Sequence, residues 1–298
     1  MDPSNRFAGE KTSWKVFVWN PETRQFLGRT GSSWFKIILF YIVFYGFLAA
    51  IFIGTIQALL LTINKYTPQY QDRILPPGLS VRPQPFRAEI YYSLSERHSI
   101  ELHNKSISSL LDSYSNEKQT QLIKCGEEPG PARLSGPDPH SAESACRFQR
   151  EWLGDCSGLT DPDFGYSSGN PCVIIKLNRV IGFLPEVPKN DTLPIGLKYH
   201  PNVVPVACNF KREEDKGRIS AIRYFGAGGY AGFPMHYYPF LGRARHAGYV
   251  NPLVAVQLMN VTRDVEVRLE CRIYAENVPL SARDRLVGRV DLKLLVRS

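Results

Sequence analysis

Residues 37–64 read IILFYIVFYGFLAAIFIGTIQALLLTIN and contain no Asp, Glu, Lys or Arg. As an α-helix, the stretch from 37 to 63 would measure about 40 Å, whereas the hydrocarbon core of a bilayer is about 30 Å thick. A cleaved signal peptide has a shorter apolar core close to its N-terminus, but here 36 residues precede a much longer run. We therefore predict a transmembrane helix that is retained as a signal anchor.

The cysteines and the N-glycosylation sequons all lie on the C-terminal side of this helix. Disulfides persist in oxidising compartments, and an even number of cysteines allows complete pairing, with 15 possible connectivities for six. The cysteines are Cys125, Cys146, Cys156, Cys172, Cys208 and Cys271. The sequons begin at Asn104, Asn190 and Asn260. Both sets predict an extracellular C-terminal part carrying N-linked glycans and a cytosolic N-terminus, which is a single-pass type II topology.

The net charge of +8 does not identify a partner. The basic residues are spread along the chain, and an extracellular location argues against nucleic acid. We therefore interpret the charge as solvated surface.

Alternating apolar and charged residues predict β-strands near the C-terminus. Val267, Leu269 and Cys271 alternate with Arg268 and Glu270, and residues 289–296 alternate in the same way. Apolar runs predict further strands at 172–177, 203–208, 219–225 and 253–259. Together these segments predict a mainly β, immunoglobulin-like antiparallel sandwich with a minor helix.

The predicted organisation has four parts. Residues 1–36 are a cytosolic tail, 37–63 the transmembrane helix, 64–85 a Pro- and Gln-rich extended stalk, and 86–298 the disulfide-bonded, glycosylated ectodomain. Within the ectodomain, 106–124 is a helix candidate and 127–145 is a surface loop between two cysteines.

Two motifs resemble enzyme signatures, and we interpret both as turns or loops. GYSSG at 165–169 fits the serine nucleophile elbow, but Pro162 and Pro171 exclude the required strand and helix. GAGGYA at 226–231 fits the dinucleotide fingerprint loosely, but Pro234 and Pro239 prevent a long helix after it.

Asp161 and Asp163 resemble the acidic pair with which many type II membrane glycosyltransferases hold a divalent cation. The sequence shows no βαβ alternation that would build the nucleotide-binding core of such an enzyme. The histidines show no zinc-ligand spacing. We therefore predict no catalytic, metal or cofactor site.

Residues on both sides of the membrane helix resemble the β subunits of sodium/potassium and proton/potassium pumps. The N-terminal signature consists of Trp14, Phe17, Trp19 and Asn20, then LGRT at 27–30 and Trp34. The second signature consists of Cys146, Arg147, Leu153, Cys156, Ser157 and Gly158. IFIGTIQ at 51–57 and KREED at 211–215 are more similar to the sodium pump branch.

This resemblance implies an immunoglobulin-like ectodomain and disulfides in sequential order, namely Cys125–Cys146, Cys156–Cys172 and Cys208–Cys271. Three positions depart from the family pattern. Asp155 replaces an Asn that begins a sequon, Glu143 replaces a common basic residue, and FLGR at 240–243 replaces a double-tyrosine, glycine, lysine sequence.

The predicted helix has two different faces. At 100° per residue, Tyr41, Phe44 and Tyr45 share one face, and the small residues lie opposite them. The small face comprises Gly46, Ala50, Gly54 and Gln57. The resemblance implies that the aromatic face packs on the catalytic α subunit, and the small face would meet lipid, sterol or a small single-span regulatory subunit.

The resemblance also implies contacts with the α subunit outside the membrane. The residues concerned are Tyr66, Tyr70, Gln71, Asp72, Arg73, Tyr237 and Tyr238.

The predicted function is that of a non-catalytic β subunit of a sodium/potassium-exchanging ATPase in the plasma membrane. Such a subunit would support folding, membrane insertion and delivery of the α subunit, and would modulate potassium affinity. The alternatives are a proton/potassium pump β subunit, a Golgi glycosyltransferase that uses Asp161 and Asp163, and a cell-adhesion glycoprotein that acts without a pump.

Overall fold

The computed structural model describes residues 18–20, 22–64, 66, 69–70, 73–84, 89–133, 136, 141–189, 193, 196–279, 284 and 286–298. The chain divides into two compact units, Met1–Asn64 and Lys65–Ser298.

The N-terminal unit is a small antiparallel sheet followed directly by a long helix. The sheet has the order β1 (Trp19–Asn20), β2 (Gln25–Phe26), β3 (Arg29–Thr30). Helix α1 spans Gly31–Thr62 and is long and apolar enough to cross a membrane.

Helix α1 begins before the predicted start at residue 37 because its first turns pack on the sheet. The Trp34 indole N–H donates to the Phe26 carbonyl oxygen at 2.8 Å, and the two rings lie 6.1 Å apart. Thr30 is the N-cap in an extended conformation. At the other end Ile63 is extended as well, so the helix ends at Thr62, one residue before the predicted boundary.

The C-terminal unit contains nine strands in the described residues, arranged in two sheets. In chain order its elements are β4 (Leu79–Arg82), β5 (Glu89–Ser93), α2 (Arg97–Leu111), β6 (Cys172–Leu177), β7 (Val203–Phe210), β8 (Ala221–Phe225), β9 (Gly232–Pro234), β10 (Leu253–Met259), β11 (Glu266–Ile273) and β12 (Arg289–Arg297). The four-stranded sheet has the order β4-β6-β10-β8 and the five-stranded sheet has the order β5-β12-β11-β7-β9.

The two sheets share one core, to which both contribute buried side chains. On β11, Val267, Leu269 and Cys271 are buried and the intervening residues are partly exposed, as the alternation predicts. Strand β10 is buried along almost its whole length because one face meets the core and the 3₁₀ segment Arg150–Ser157 covers its other side.

The prediction of a mostly β ectodomain is confirmed, with changes at several boundaries. The segments 172–177 and 253–259 match β6 and β10, β7 extends two residues further than predicted, and β8 begins two residues later. Strands β5 and β12 pair in parallel, which a purely antiparallel sandwich does not include. The immunoglobulin-like subclass stays a prediction.

Two assignments made from the sequence are wrong in their bounds. The predicted stalk reaches residue 85, but Leu79 and Val81 are buried in β4, which pairs with β6. The predicted helix at 106–124 instead begins at Arg97 and ends at Leu111, because Ile100, Ile107 and Leu111 form its buried face.

After α2 the chain continues as two 3₁₀ turns that Ser115 separates. Ser115 is extended, with φ −65° and ψ 149°, which excludes a continuous helix. The break lets the Gln119 amide enter the core, where it donates to the Tyr114 carbonyl oxygen at 2.6 Å and to that of Phe148 at 2.9 Å.

The structure contains the three disulfides that the family resemblance implies. Cys208 and Cys271 are directly paired residues of neighbouring strands β7 and β11. Cys156–Cys172 joins the 3₁₀ segment to the start of β6, and Cys125–Cys146 closes the segment predicted as a surface loop.

A buried carboxylate attaches the 212–218 turn to β11. Asp215 is fully buried and accepts hydrogen bonds from Arg212 Nε at 2.8 Å and Arg218 Nη1 at 2.8 Å. It also accepts one from the Arg268 backbone N–H at 3.1 Å. The hydrogen bonds from Arg212, more than any other cause, hold the pKa of the Asp215 carboxyl below its ordinary value of 3.8.

Replacement of Asp215 tests this attachment. We expect Asp215→Asn to lower the free energy of unfolding of the disulfide-intact chain by roughly 1–3 kcal/mol at neutral pH, because it weakens charge-assisted hydrogen bonds. A carboxyl with a depressed native pKa stabilises the fold above its unfolded pKa and loses that effect as the pH falls through the native value. The difference between wild type and variant, measured by thermal unfolding, should therefore shrink below about pH 4.

Asp291→Asn is the matched control, because Asp291 pairs with Lys211 while both side chains are more than a third exposed. Its effect should stay below about 1 kcal/mol. Equal destabilisation by the two variants would contradict a special role for Asp215.

Candidate subunit-contact surfaces

Four aromatic side chains form a ridge on the first half of α1. Tyr41 stacks on Tyr45 with ring centroids 5.9 Å apart, Phe40 stacks on Phe44 at 5.9 Å, and Phe44 meets Tyr45 edge-on at 5.4 Å. Their exposed fractions are 62% for Phe40, 49% for Tyr41, 45% for Phe44 and 60% for Tyr45. The structure thus brings together the three predicted residues and adds Phe40. We call these four residues the aromatic ridge.

The small residues of α1 leave a shallow surface opposite the ridge. A Cβ atom added at Gly46 or at Gly54 would meet nothing within 4 Å. Because Gly costs roughly 1 kcal/mol relative to Ala inside a helix and relieves no crowding here, these glycines suit close approach of another molecule. Ala50 and Gln57 lie on the same face by helical periodicity.

In the C-terminal unit, the two predicted outer contact segments lie side by side. Gly242 has φ +87°, and a Cβ there would lie 3.4 Å from Ile181 Cδ1 and 3.8 Å from the Tyr66 carbonyl oxygen. The Arg73 guanidinium lies over the Tyr70 ring at 4.7 Å. Gln71 and Asp72, which are predicted to belong to the same contact, lie outside the described residues.

Tyr237 and Tyr238 are buried within the C-terminal unit, so their predicted contact with the α subunit stays a prediction. They are 3% and 6% exposed. The Tyr237 hydroxyl donates to the Arg147 carbonyl oxygen at 2.8 Å, and the Tyr249 hydroxyl donates to the Tyr237 carbonyl oxygen at 3.1 Å. Burial raises the pKa of both Tyr237 and Tyr238 above the ordinary value. In this chain their side chains therefore contribute to internal packing and hydrogen bonding.

Apolar residues that the sequence analysis did not select are exposed beside the same segment. Ile74 is 41% exposed and Leu75 66% exposed. Ile74 also lines a cavity of about 330 Å³ together with Ile181, Phe183 and Leu184. The signal available in the sequence was this apolar pair inside an otherwise polar, Pro-rich stretch.

A largely buried ion pair holds the turn that follows Tyr238. Arg245 Nη2 lies 2.7 Å from Glu143 Oε1, and the Glu143 backbone N–H donates to the Arg245 carbonyl oxygen at 2.9 Å. His246 Nδ1 accepts from the Leu241 N–H at 3.2 Å, and burial lowers the pKa of His246. Arg243, between these anchored residues, is exposed.

The motifs that resembled enzyme signatures are structural. The Asp161 carboxylate accepts the Asp163 N–H at 2.9 Å and the Gly165 N–H at 2.7 Å, so it caps the turn containing GYSSG. GAGGYA forms a 3₁₀ turn, Ala227–Gly229, and no long helix follows it. In the part of the chain that the structure describes, no group of three or more His, Cys, Asp or Glu residues is placed to hold a metal ion.

The sequons differ in accessibility. Asn260 is exposed at the end of β10 with φ +49°. Asn104 Nδ2 donates to Asp163 Oδ1 at 2.8 Å, and the Asn104 side-chain oxygen is buried. Asn190 lies outside the described residues. Asp155 stands where the family resemblance implies the Asn of a further sequon, and its carboxylate forms an ion pair with Arg223 at 2.9 Å.

These features define a class of protein: one apolar helix with an exposed aromatic ridge, followed by a disulfide-linked, two-sheet unit. The family model described as the sodium/potassium ATPase beta chain matches residues 4–292. The chain belongs to this family of membrane-bound pump subunits. It is 48% identical to the sodium/potassium-transporting ATPase subunit beta-233 of Anguilla anguilla, an alignment covering 97% of this chain and 99% of the relative.

Two further relatives extend this comparison. The beta-1 subunit of Tetronarce californica is 47% identical, with 96% of each chain covered. The beta-2 subunit of Oryctolagus cuniculus is 41% identical, with 95% of this chain and 93% of the relative covered. The identity therefore extends through both units.

The internal role of Tyr237 can be tested by removing its hydroxyl. We expect Tyr237→Phe to lower the free energy of unfolding by about 1 kcal/mol, because the hydrogen bond to the Arg147 carbonyl oxygen is lost. Recovery of a coexpressed α subunit in a detergent pull-down should not change. Tyr91→Phe, at a half-exposed ring, is the control and should leave the melting temperature unchanged. Loss of α recovery without destabilisation would instead favour direct contact by Tyr237.

Proposed function

We propose that this chain assembles as the non-catalytic β subunit with the catalytic α subunit of a sodium/potassium pump. The observation that carries the proposal is the aromatic ridge on α1, a helix long and apolar enough to cross a membrane, in a chain that belongs to the pump β family. Lipid tails are as apolar as Leu, so helices associate in the bilayer through close packing and hydrogen bonds. Stacked rings fill the grooves of a larger helical protein, and the Tyr41 and Tyr45 hydroxyls offer hydrogen bonds.

We assign the chain a type II orientation in the plasma membrane, with residues 1–36 cytosolic and the C-terminal unit extracellular. Its support is that the disulfides and the exposed sequon at Asn260 all follow α1 in the chain. N-linked glycans are the covalent groups that this orientation would add. The two-sheet ectodomain would then be of the immunoglobulin-like kind.

Outside the membrane, we assign contact with the α subunit to Tyr66, Tyr70 and Arg73, together with the neighbouring pair Ile74 and Leu75. Gln71 and Asp72 belong to the same predicted contact. The exposed part of the turn at 239–243 would complete this contact surface, and the buried Tyr237 and Tyr238 rings would hold the turn in place. Through this surface the chain would support folding and delivery of the α subunit and modulate potassium binding.

The role is accessory. The acidic pair, the GYSSG turn and the GAGGYA turn all have structural roles, and we assign the chain no catalytic residue, metal or cofactor of its own. The face formed by Gly46, Ala50, Gly54 and Gln57 would be free for lipid, sterol or a small single-span subunit. Nucleic acid is not a proposed partner.

Substitution on the two faces of α1 tests the proposal. We expect Tyr41→Leu/Phe44→Leu/Tyr45→Leu to reduce recovery of a coexpressed α subunit at least tenfold, because ring stacking and both hydroxyls are lost. The measurement is a pull-down in mild detergent with the α-to-β ratio quantified. Gly46→Leu/Ala50→Leu/Gly54→Leu is the matched control, with three changes to the same residue on the opposite face. A larger loss for the control would reverse the face assignment.

Glycan mapping tests the orientation. We expect an endoglycosidase-sensitive mass shift that decreases by one glycan in Asn260→Gln. We expect no decrease in Asn104→Gln, because the Asn104 amide is engaged with Asp163. Asp155→Asn, which creates a sequon at a half-exposed position, should add one glycan. A chain without any glycan in all variants would place the C-terminal unit on the cytosolic side.

A further inference from the structure

A cleft lies where the three-stranded sheet meets the start of α1. It has a volume of about 420 Å³, within the range of small-molecule sites. Its lining consists of Arg29, Ser33, Lys36, Ile37, Phe40 and Tyr41. All of these residues belong to the N-terminal unit.

The lining changes character along the helix axis. Arg29, Ser33 and Lys36 form one end and contribute two cations and a hydroxyl. Ile37 and Phe40, with Tyr41 beside them, form the other end. Ile37 follows Lys36 directly, and Phe40 lies about 6 Å beyond Lys36 along α1 at 1.5 Å per residue. The cleft is therefore cationic where the chain approaches the membrane and apolar where the uncharged run begins.

The two cations are available to a ligand. Arg29 and Lys36 are exposed, and among the described residues no carboxylate forms an ion pair with either of them. Ser33, in the first turn of α1, is partly buried and lies between Arg29 and Lys36 in the sequence. Two positive charges and a hydroxyl donor at one end match an anionic phosphate group.

The apolar end distinguishes between possible anions. A free phosphate would use the cations alone and leave the Phe40 ring and the Ile37 side chain without a role. A phospholipid carries its phosphate and its acyl chains in the same order as the cleft carries its cations and apolar residues. A zwitterionic headgroup has no net charge to match two cations, whereas a phosphatidylserine headgroup is anionic.

We propose that this cleft binds the headgroup and first acyl segment of one anionic phospholipid. Arg29 and Lys36 pair with the phosphate and carboxylate, Ser33 donates a hydrogen bond, and Ile37 and Phe40 contact the acyl chain. The site lies at the sheet end of α1, whereas the small face begins at Gly46. Because Phe40 and Tyr41 also belong to the aromatic ridge, the lipid would border the proposed contact with the α subunit, and binding is therefore measured on the chain without that subunit.

Native mass spectrometry of the full-length, disulfide-intact chain in nonionic detergent tests the proposal. Phosphatidylserine, phosphatidylcholine, inorganic phosphate and glycerophosphoserine are titrated separately. We expect one retained phosphatidylserine per chain, with weak retention of the other three. Each Lys or Arg near an anionic lipid contributes about a fivefold factor in affinity, so Arg29→Gln and Lys36→Gln should each weaken binding about fivefold and the double variant about 25-fold.

Arg24→Gln is the matched control, because Arg24 is an exposed cation of the same unit outside the cleft. It should bind phosphatidylserine as the wild type does. An unchanged helix content by circular dichroism of the full-length chain shows that each variant keeps α1. Equal retention of phosphatidylcholine, equal binding of glycerophosphoserine, or equal losses for Arg24→Gln and Arg29→Gln would each overturn the proposal.

Discussion

The five-stranded sheet depends on the register of β11, its central strand. Val267, Leu269 and Cys271 point into the core, while Glu266 and Glu270 lie on the other face. A shift of one residue would exchange the two sets and bury the charges. Cys271 opposite Cys208 fixes the strand against β7 by a covalent bond.

Ion pairs across the outer face support the same register against β12. Glu266 lies 2.8 Å from Lys293, and Glu270 lies 3.4 Å from Arg289. These pairs are partly exposed, so each contributes modestly, but a slipped strand would lose them together. Strand β5 joins the sheet through β12 and β9 joins it through β7, so the position of both edge strands follows from β11.

The sequence predicts those strands in which the pattern of apolar and polar side chains follows from which faces are buried. Strands β11 and β12 alternate because one face is buried. Strands β6 and β10 are apolar apart from Lys176 and Gln257, because most of both faces is covered. Strand β4 reads Leu-Ser-Val-Arg between prolines, and only its pairing with β6 makes it a strand. The sequence does not indicate the start of α2, because Arg97, His98 and Ser99 are all polar. The packing of Ile100 in the core decides this helix boundary.

The proposed contact surfaces likewise include a part that the sequence predicts and a part that only the fold determines. The aromatic ridge follows from helical periodicity alone, since an isolated α-helix has a fixed geometry whatever surrounds it. Tyr237 and Tyr238 could not be placed from sequence, because a family signature marks residues that matter and does not state whether they face a partner or the core. Likewise, Ile74 and Leu75 are exposed only because the fold leaves the segment before β4 on the surface.

The largely buried ion pair between Glu143 and Arg245 explains how the fold accommodates an acidic residue at position 143. The family resemblance implies a basic residue at position 143, whereas this chain has Glu143, whose carboxylate lies 2.7 Å from Arg245. Removing one partner of a largely buried ion pair leaves the other charge uncompensated, at a cost of roughly 3–5 kcal/mol. An acidic residue at 143 is therefore compatible with the fold because Arg245 faces it. The same ion pair holds the turn that exposes Arg243.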